Sequence, residues 1–218
     1  MAQAAEYLGL SETTLRQWVL GRPYPVKAGS DFSEPLIRLP EPGRPLLSFT
    51  NLVEAYVLAS LRRKHQIKMG KIRLALSYLE DELGSEHPLA TEQLESAGGS
   101  LFLKKYGQLI DLPESGQIAI EEVLKPYLKR IDHDKAGLAV RLFPVRRSAD
   151  AFSPKVVVID PEIAFGRPTV AGRGVSVAIL VDRFRAGESM ADLAEDYDLN
   201  PQQVEEAILY GLPDELAA

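Results

Sequence analysis

The sequence predicts a mainly α protein with an α+β middle, on three observations. Apolar residues recur at helical spacing near both ends, as in Leu15, Trp18 and Val19 and again in Val204, Ala207 and Ile208. Between the ends lie short apolar runs bounded by glycine, such as Leu101, Phe102 and Leu103, which read as strands. Glycine and proline punctuation then divides the chain into three stretches, residues 1–88, 89–150 and 151–218.

The first stretch opens on two short helices around Gly9. Ala4, Ala5 and Leu8 share one face of the first, and Gly9 supplies the left-handed backbone of a sharp stop. Ser11 is a favourable N-cap for the second, and Glu12 sets negative charge in its first turn. Leu15, Trp18 and Val19 close on the first helix, leaving Thr13, Thr14, Arg16 and Gln17 outward with groups that suit phosphates and base edges. This is the spacing of a helix-turn-helix, and an ordinary buried helical hairpin is its alternative.

After Gly21-Arg22-Pro23 stops the helix, Leu36 to Leu39 and Arg44 to Phe49 read as two strands around Pro40-Glu41-Pro42-Gly43. A hairpin in this place is a wing. It would set Arg38 and Arg44, with Arg22 and Lys27 nearby, against phosphates. Thr50 or Asn51 caps the next helix, whose apolar side is Leu52, Val53, Tyr56, Val57 and Leu61 and whose basic end at Arg62, Arg63 and Lys64 suits either DNA contact or, as the alternative, the helix dipole. Ile72, Ala75, Leu76, Leu79 and Leu83 define another helix, ended by Gly84. The order helix, turn, helix, hairpin, helix, helix resembles the winged helix-turn-helix of MerR-type regulators. That resemblance implies DNA binding by Ser11, Thr13, Thr14, Arg16, Gln17, Arg22, Arg38 and Arg44.

Residues 89–150 read as a small β-rich bridging module. Leu101 to Leu103 and Leu109 to Leu112 are expected strands, with one helix carrying Leu124, Tyr127, Leu128 and Ile131. In the last stretch Val156 to Ile159 is a strand. Three helices follow, around Val177 to Phe184, Leu193 to Tyr197 and Val204 to Tyr210. Ser189 caps the second, and Asn200-Pro201 opens the third. The last two can form a second helix-turn-helix, and the charges of residues 177–210 are mostly acidic, at Asp192, Glu195, Asp196, Glu205 and Glu206, against Arg183 and Arg185 on the first of the three helices. Protein contact is expected there, and DNA reading by this pair is the alternative.

Gly166-Arg167-Pro168, Gly172 and Gly187-Glu188-Ser189 closely resemble the pattern of a bacterial family of antitoxin-like proteins of formerly unknown function. Members of this kind resemble VapB-type antitoxins encoded beside toxins with a PIN-like nuclease fold. The resemblance implies two partners, promoter DNA and a cognate toxin nuclease. A homodimer is expected because a two-fold protein reads two half-sites.

Composition agrees with these expectations. The net charge is −6, but residues 1–74 hold 11 Lys/Arg against 6 Asp/Glu, a basic front before an acidic remainder. There is no cysteine and no apolar run of membrane-spanning length, and the N-terminus lacks a signal-peptide pattern, so a cytoplasmic protein is expected. His65, His87 and His133 lie far apart, as solvated histidines rather than metal ligands. Gly172-Arg173-Gly174 lacks the rest of a phosphate loop, and Asp160 with Glu162 reads as a turn more readily than as an acid pair. No enzyme and no cofactor are expected. A MerR-like regulator without a toxin and a pure protein-interaction scaffold remain the other readings.

Overall fold

In a computed structural model of the chain, the structure describes residues 1–26, 29–41, 44–64, 69–110, 114–145 and 151–212. They fall into two compact units, Met1–Ala139 and Val140–Ala218. The mainly α expectation holds: helices dominate, and the strands among the described residues form only two-stranded sheets.

The first unit opens with α1 (Ala2–Tyr7) and α2 (Glu12–Leu20). Ala5 and Leu8 of one side and Leu15, Trp18 and Val19 of the other are buried, as the apolar spacing requires. Strands β1 (Arg22–Val26) and β2 (Gly29–Ser33) follow directly as an antiparallel hairpin, with Arg22 opposite Ser33 and Tyr24 opposite Asp31. The wing therefore lies about fourteen residues earlier than the sequence suggests. Pro23 and Pro25 argued against a strand, but both strands of an isolated hairpin are edges, where proline is tolerated. The residues expected to be the wing do something else. The N–H groups of Leu36 and Ile37 both donate to the Trp18 carbonyl, at 2.7 and 3.0 Å, and Ile37 is buried in the core. The expected return strand ends in a helix, since α3 (Phe49–Lys64) begins at Phe49.

Helix α3 is the centre of this unit, buried without interruption from Asn51 to Leu61. Its cap is Ser48, not Thr50 or Asn51. The Asn51 N–H donates to Ser48 Oγ (3.1 Å) and the Ser48 N–H donates to Asn51 Oδ1 (3.2 Å), a reciprocal box. Helix α4 (Met69–Leu83) follows, as expected from its spacing. The expected strands of residues 101–103 and 109–110 are instead parts of a helix, α5 (Gly99–Ile110), which buries Phe102, Leu103, Tyr106 and Gly107. Residues 111 and 112 of the second run lie outside the described residues. A short apolar run between glycines has no period of its own, so helix and strand look alike until packing decides. Helix α6 (Glu114–Leu128) packs on α3 and α5, and α5 packs on α4. Tyr56 of α3 meets Tyr127 of α6 with ring centroids 6.1 Å apart. Ile131, expected on the helix, opens β3 (Ile131–His133).

The chain passes into the second unit within β4 (Ala139–Leu142). There β5 (Val157–Val158) pairs antiparallel with β6 (Thr169–Val170). Helices α7 (Val177–Arg185), α8 (Met190–Asp196) and α9 (Pro201–Gly211) complete it. Ser189 caps α8, and Asn200 with Gln203 forms a capping box on α9, both at the expected positions. One core joins Val157 and Val170 to Leu180, Leu193, Val204 and Ile208. Asp160, buried, accepts from Arg141 Nε at 2.8 Å and from the Glu162 N–H at 2.9 Å, which makes it a structural anchor.

A polar network crosses the first unit. Asn51 Nδ2 donates to the Arg38 carbonyl (2.8 Å) and to Glu54 (3.2 Å). The buried Glu54 carboxylate also meets His87 Nδ1 at 3.2 Å. His87 is thus no solvated residue. His133 Nε2 is buried as well, and His65 lies outside the described residues. The bond to Glu54 raises the His87 pKa above its ordinary value near 6.5, with burial opposing and the nearby Glu86 adding to the rise against Arg38. A histidine held more strongly protonated when folded stabilises the fold at low pH and loses that contribution as pH climbs through the folded value. The thermal midpoint should therefore fall between pH 6 and pH 8. His87→Gln should flatten that part of the profile and lower the midpoint at pH 6, since Glu54 loses its charged partner. Melts at a pH series read both effects, and a wild-type-like slope in the variant would clear His87 of the role.

Candidate nucleic-acid interface

The end of α2 controls the site. Gly21 has φ +73° and ψ −173°, a region essentially reserved for glycine. A Cβ there would strike the Ser33 carbonyl oxygen and lie 2.7 Å from the Phe32 ring. The chain can therefore turn straight from the helix into β1 with β2 folded tightly against the turn. Across the hairpin, the Tyr24 hydroxyl donates to the Asp31 carboxylate at 2.6 Å. That bond raises the Tyr24 pKa and lowers that of Asp31, which also accepts from the Phe32 N–H.

The sequence-predicted residues divide by what they touch. Ser11 caps α2 by accepting from the Thr14 N–H at 3.2 Å. The Thr14 hydroxyl accepts from Ser11 Oγ (2.9 Å) and from Arg62 of α3 (3.2 Å). Thr13 is exposed. Arg16 makes an exposed ion pair with Glu12 at 3.2 Å, one turn back, of a kind worth little in water. Gln17 accepts from Arg22 at 3.5 Å, so Arg22 stands at the junction of α2 and the hairpin. Arg38 and Arg44 lie off the hairpin. Arg38 pairs with Glu86 at 2.7 Å and Arg44 with Glu41 at 3.0 Å, all exposed. Lys27 lies outside the described residues.

Two further basic residues join this group. Arg62 belongs to the basic end of α3, where the sequence offers DNA contact beside a helix-dipole role, and Arg73 of α4 had no role assigned to it from the sequence. Both line a cleft of about 610 Å³ together with Gln17, Arg22, Tyr24 and Glu34. Nothing in linear order joins residues 17, 22, 62 and 73; the tertiary fold does, with Arg62 of α3 bonded to Thr14 of α2 and Arg73 of α4 bonded to the Glu34 carbonyl.

In the second unit, α8 and α9 do form the expected second helical pair, which carries no Lys or Arg, and Arg183 at the end of α7 is engaged by carboxylates. Arg183 Nε lies 2.8 and 2.9 Å from the two Glu188 oxygens, its guanidinium also meets Asp196, and it sits over the Tyr197 ring at 5.2 Å. These partners push its pKa up. In the same unit, Phe165 is 98% exposed at φ +57°, beside Ala164 at φ +48°. No helix among the described residues is long and apolar enough to cross a membrane. The described residues also hold no cluster of three or more His, Asp or Glu side chains placed to bind a metal.

A short helix pair with a capped second helix, followed by a hairpin, is a helix-turn-helix of the DNA-binding class. Residues 1–76 match the family described as "Putative DNA-binding HTH domain", and residues 157–211 match one described as "Protein of unknown function (DUF433)". A relative from Mycobacterium tuberculosis, "Putative antitoxin VapB45", is 32% identical over 95% of this chain and 91% of its own length. Another from the same organism, "Uncharacterized protein Rv2308", is 27% identical over 96% of this chain and 87% of its own. The crystal structure of Rv2018 from M. tuberculosis superposes with a TM-score of 0.66 at 25% identity, covering 95% of both chains. The chain belongs to the VapB45 family.

The Gly21 junction is open to a direct test. Gly21→Ala should cost about 1–3 kcal/mol through the backbone region alone, with the Ser33 and Phe32 collisions adding to it. Thermal and urea unfolding of the full chain measure the loss; stability equal to wild type would show that the hairpin does not press on this turn.

Proposed function

We propose that this protein is an antitoxin that binds its own promoter DNA through the helix-turn-helix as an autorepressor and neutralises a PIN-like nuclease toxin through its second unit. The observation that carries the DNA half is the helix-turn-helix itself. Its second helix leaves Thr13 and Arg16 exposed, and Gln17 adjoins Arg22 at the start of the hairpin. We place α2 in the major groove, with Arg16 and Gln17 at base edges and Arg22 at the backbone. A homodimer follows from reading two half-sites. The similarity to a relative named as an antitoxin supports the toxin half. The alternative of a toxin-free MerR-like regulator, which dimerises through a long helix, is less well supported: α4 ends at Leu83 and turns at Gly84, φ +61°.

Two features favour protein over DNA as the partner of the second unit. Arg183 is engaged by two carboxylates, so it has no charge to spare for phosphate. Phe165 is almost fully exposed on a backbone that non-glycine residues rarely adopt, and strain of this kind collects at functional positions. An aromatic side chain held out in this way suits a pocket on a protein surface.

Arg16→Ala with Gln17→Ala should weaken binding to the upstream promoter duplex by about 1–3 kcal/mol per base contact, with unfolding little changed. A titration at fixed salt measures this, and equal affinity would take α2 out of the groove. For the toxin half, Phe165→Gly relieves the left-handed strain, so the melting temperature should hold or rise. Affinity for the co-expressed nuclease encoded beside the antitoxin should drop by at least about 1 kcal/mol. Full co-purification and unchanged affinity would exclude this loop from the contact.

A further inference from the structure

We infer that the cleft enclosed by α2, the hairpin and the α3–α4 pair binds a backbone phosphate of the DNA, held by Arg22, Arg62 and Arg73. The inference rests on the DNA-binding reading above and adds the site at which the duplex backbone is gripped.

Three guanidinium groups reach one cleft of about 610 Å³ from three different elements: the first residue of β1, the end of α3 and the first half of α4. Glu34 is the one carboxylate among the described lining residues, against three arginines, so that lining is net positive. Among the described residues none of the three arginines forms a salt bridge. Arg22 donates to the Gln17 amide oxygen, Arg62 to the Thr14 hydroxyl and Arg73 to the Glu34 carbonyl oxygen. All three acceptors are neutral, so the positive charge is not cancelled. Arg73 Nε, moreover, is buried with no hydrogen-bond partner among the described residues. Burial lowers the Arg73 pKa, the charge of Arg22 lowers it further, and Glu34 opposes both. A group in that position gains from a bound anion.

The chemistry of the anion follows from the donors. Guanidinium forks match a phosphate group with several oxygens and fix its orientation, which a point charge does not. The source follows from the place. Thr14 and Gln17, which hold Arg62 and Arg22, belong to α2, the helix assigned to the major groove, and Tyr24 of the hairpin lines the same cleft. A phosphate flanking that groove would meet the cleft as the helix seats. Arg62 and Arg73 then tie α3 and α4 to the DNA, although neither helix reads a base.

The test uses the full chain and fluorescence anisotropy with two duplexes of equal length, the upstream region of its own gene and a scrambled sequence. Titrations run from 50 to 250 mM NaCl. Arg62→Gln and Arg73→Gln should each lose several-fold in affinity on both duplexes, because a phosphate contact carries no sequence. The slope of log affinity against log salt should shrink by about 0.9 per lost contact. Arg62→Lys keeps the charge and should keep the slope with a smaller loss of affinity. Circular dichroism melts confirm folding, and the Arg62 pair decides the matter if Arg73→Gln does not fold. Wild-type affinity and slope in the Gln variants, with wild-type DNA binding intact, would overturn the inference and leave the DNA-binding reading standing. Loss on the upstream duplex alone would overturn it in favour of base reading. If the wild-type chain binds neither duplex, both fall. In that case a melting temperature raised by millimolar phosphate or pyrophosphate in wild type but not in the Gln variants would assign the cleft to a free anion.

Discussion

The N-terminal unit depends on how the chain leaves α2. A helix must find partners for its last carbonyls, and here the Trp18 carbonyl takes two N–H groups, from Leu36 and Ile37, eighteen and nineteen residues further on. Between the two ends of that connection the chain must make the whole hairpin and return. Gly21 makes this feasible, since its backbone lies where a Cβ would meet the Ser33 carbonyl. Helix, hairpin and the buried Ile37 are thus one mechanical piece. The position of Arg22 beside Gln17 is a by-product of that closure.

Behind this piece, α3 supplies the fixed surface. A helix buried along eleven consecutive residues cannot be amphipathic, and its polar members need internal partners. Asn51 and Glu54 find them in the Arg38 carbonyl and in His87. The same bonds hold the irregular segment after the hairpin, and the loop after α4, against one helix. Polar burial here ties loops to the core, so these contacts locate the chain more than they add net stability.

Charge is distributed to opposite ends of the sequence, yet the local pairing gives it meaning. In the first unit, arginines around the cleft bond to neutral acceptors and keep their charge. In the second, Arg183 lies between Glu188 and Asp196, and Arg173 pairs with Asp198 at 2.8 Å. Counting residues shows a basic front and an acidic back; the geometry shows which arginines meet carboxylates and which meet neutral acceptors.

The sequence by itself determined the elements that follow from local chemistry. Gly9 and Ser11 set the turn into α2, Ser189 and Asn200 start the last two helices, and the apolar spacing of Leu15, Trp18 and Val19 fixes their burial. Those signals lie within a few residues, so they can be read in a line. Tertiary structure alone decided three other matters. It made α5 a helix, because burial of Phe102, Leu103 and Tyr106 against neighbouring helices outweighs an apolar run with no period. It moved the wing to residues 22–33, because two prolines cost nothing on strands without further neighbours, while Ile37 was needed in the core. It also gathered Gln17, Arg22, Arg62 and Arg73 around one cleft, which no spacing encodes, because their convergence depends on contacts between residues tens of positions apart, such as Arg62 with Thr14 and Arg73 with the Glu34 carbonyl.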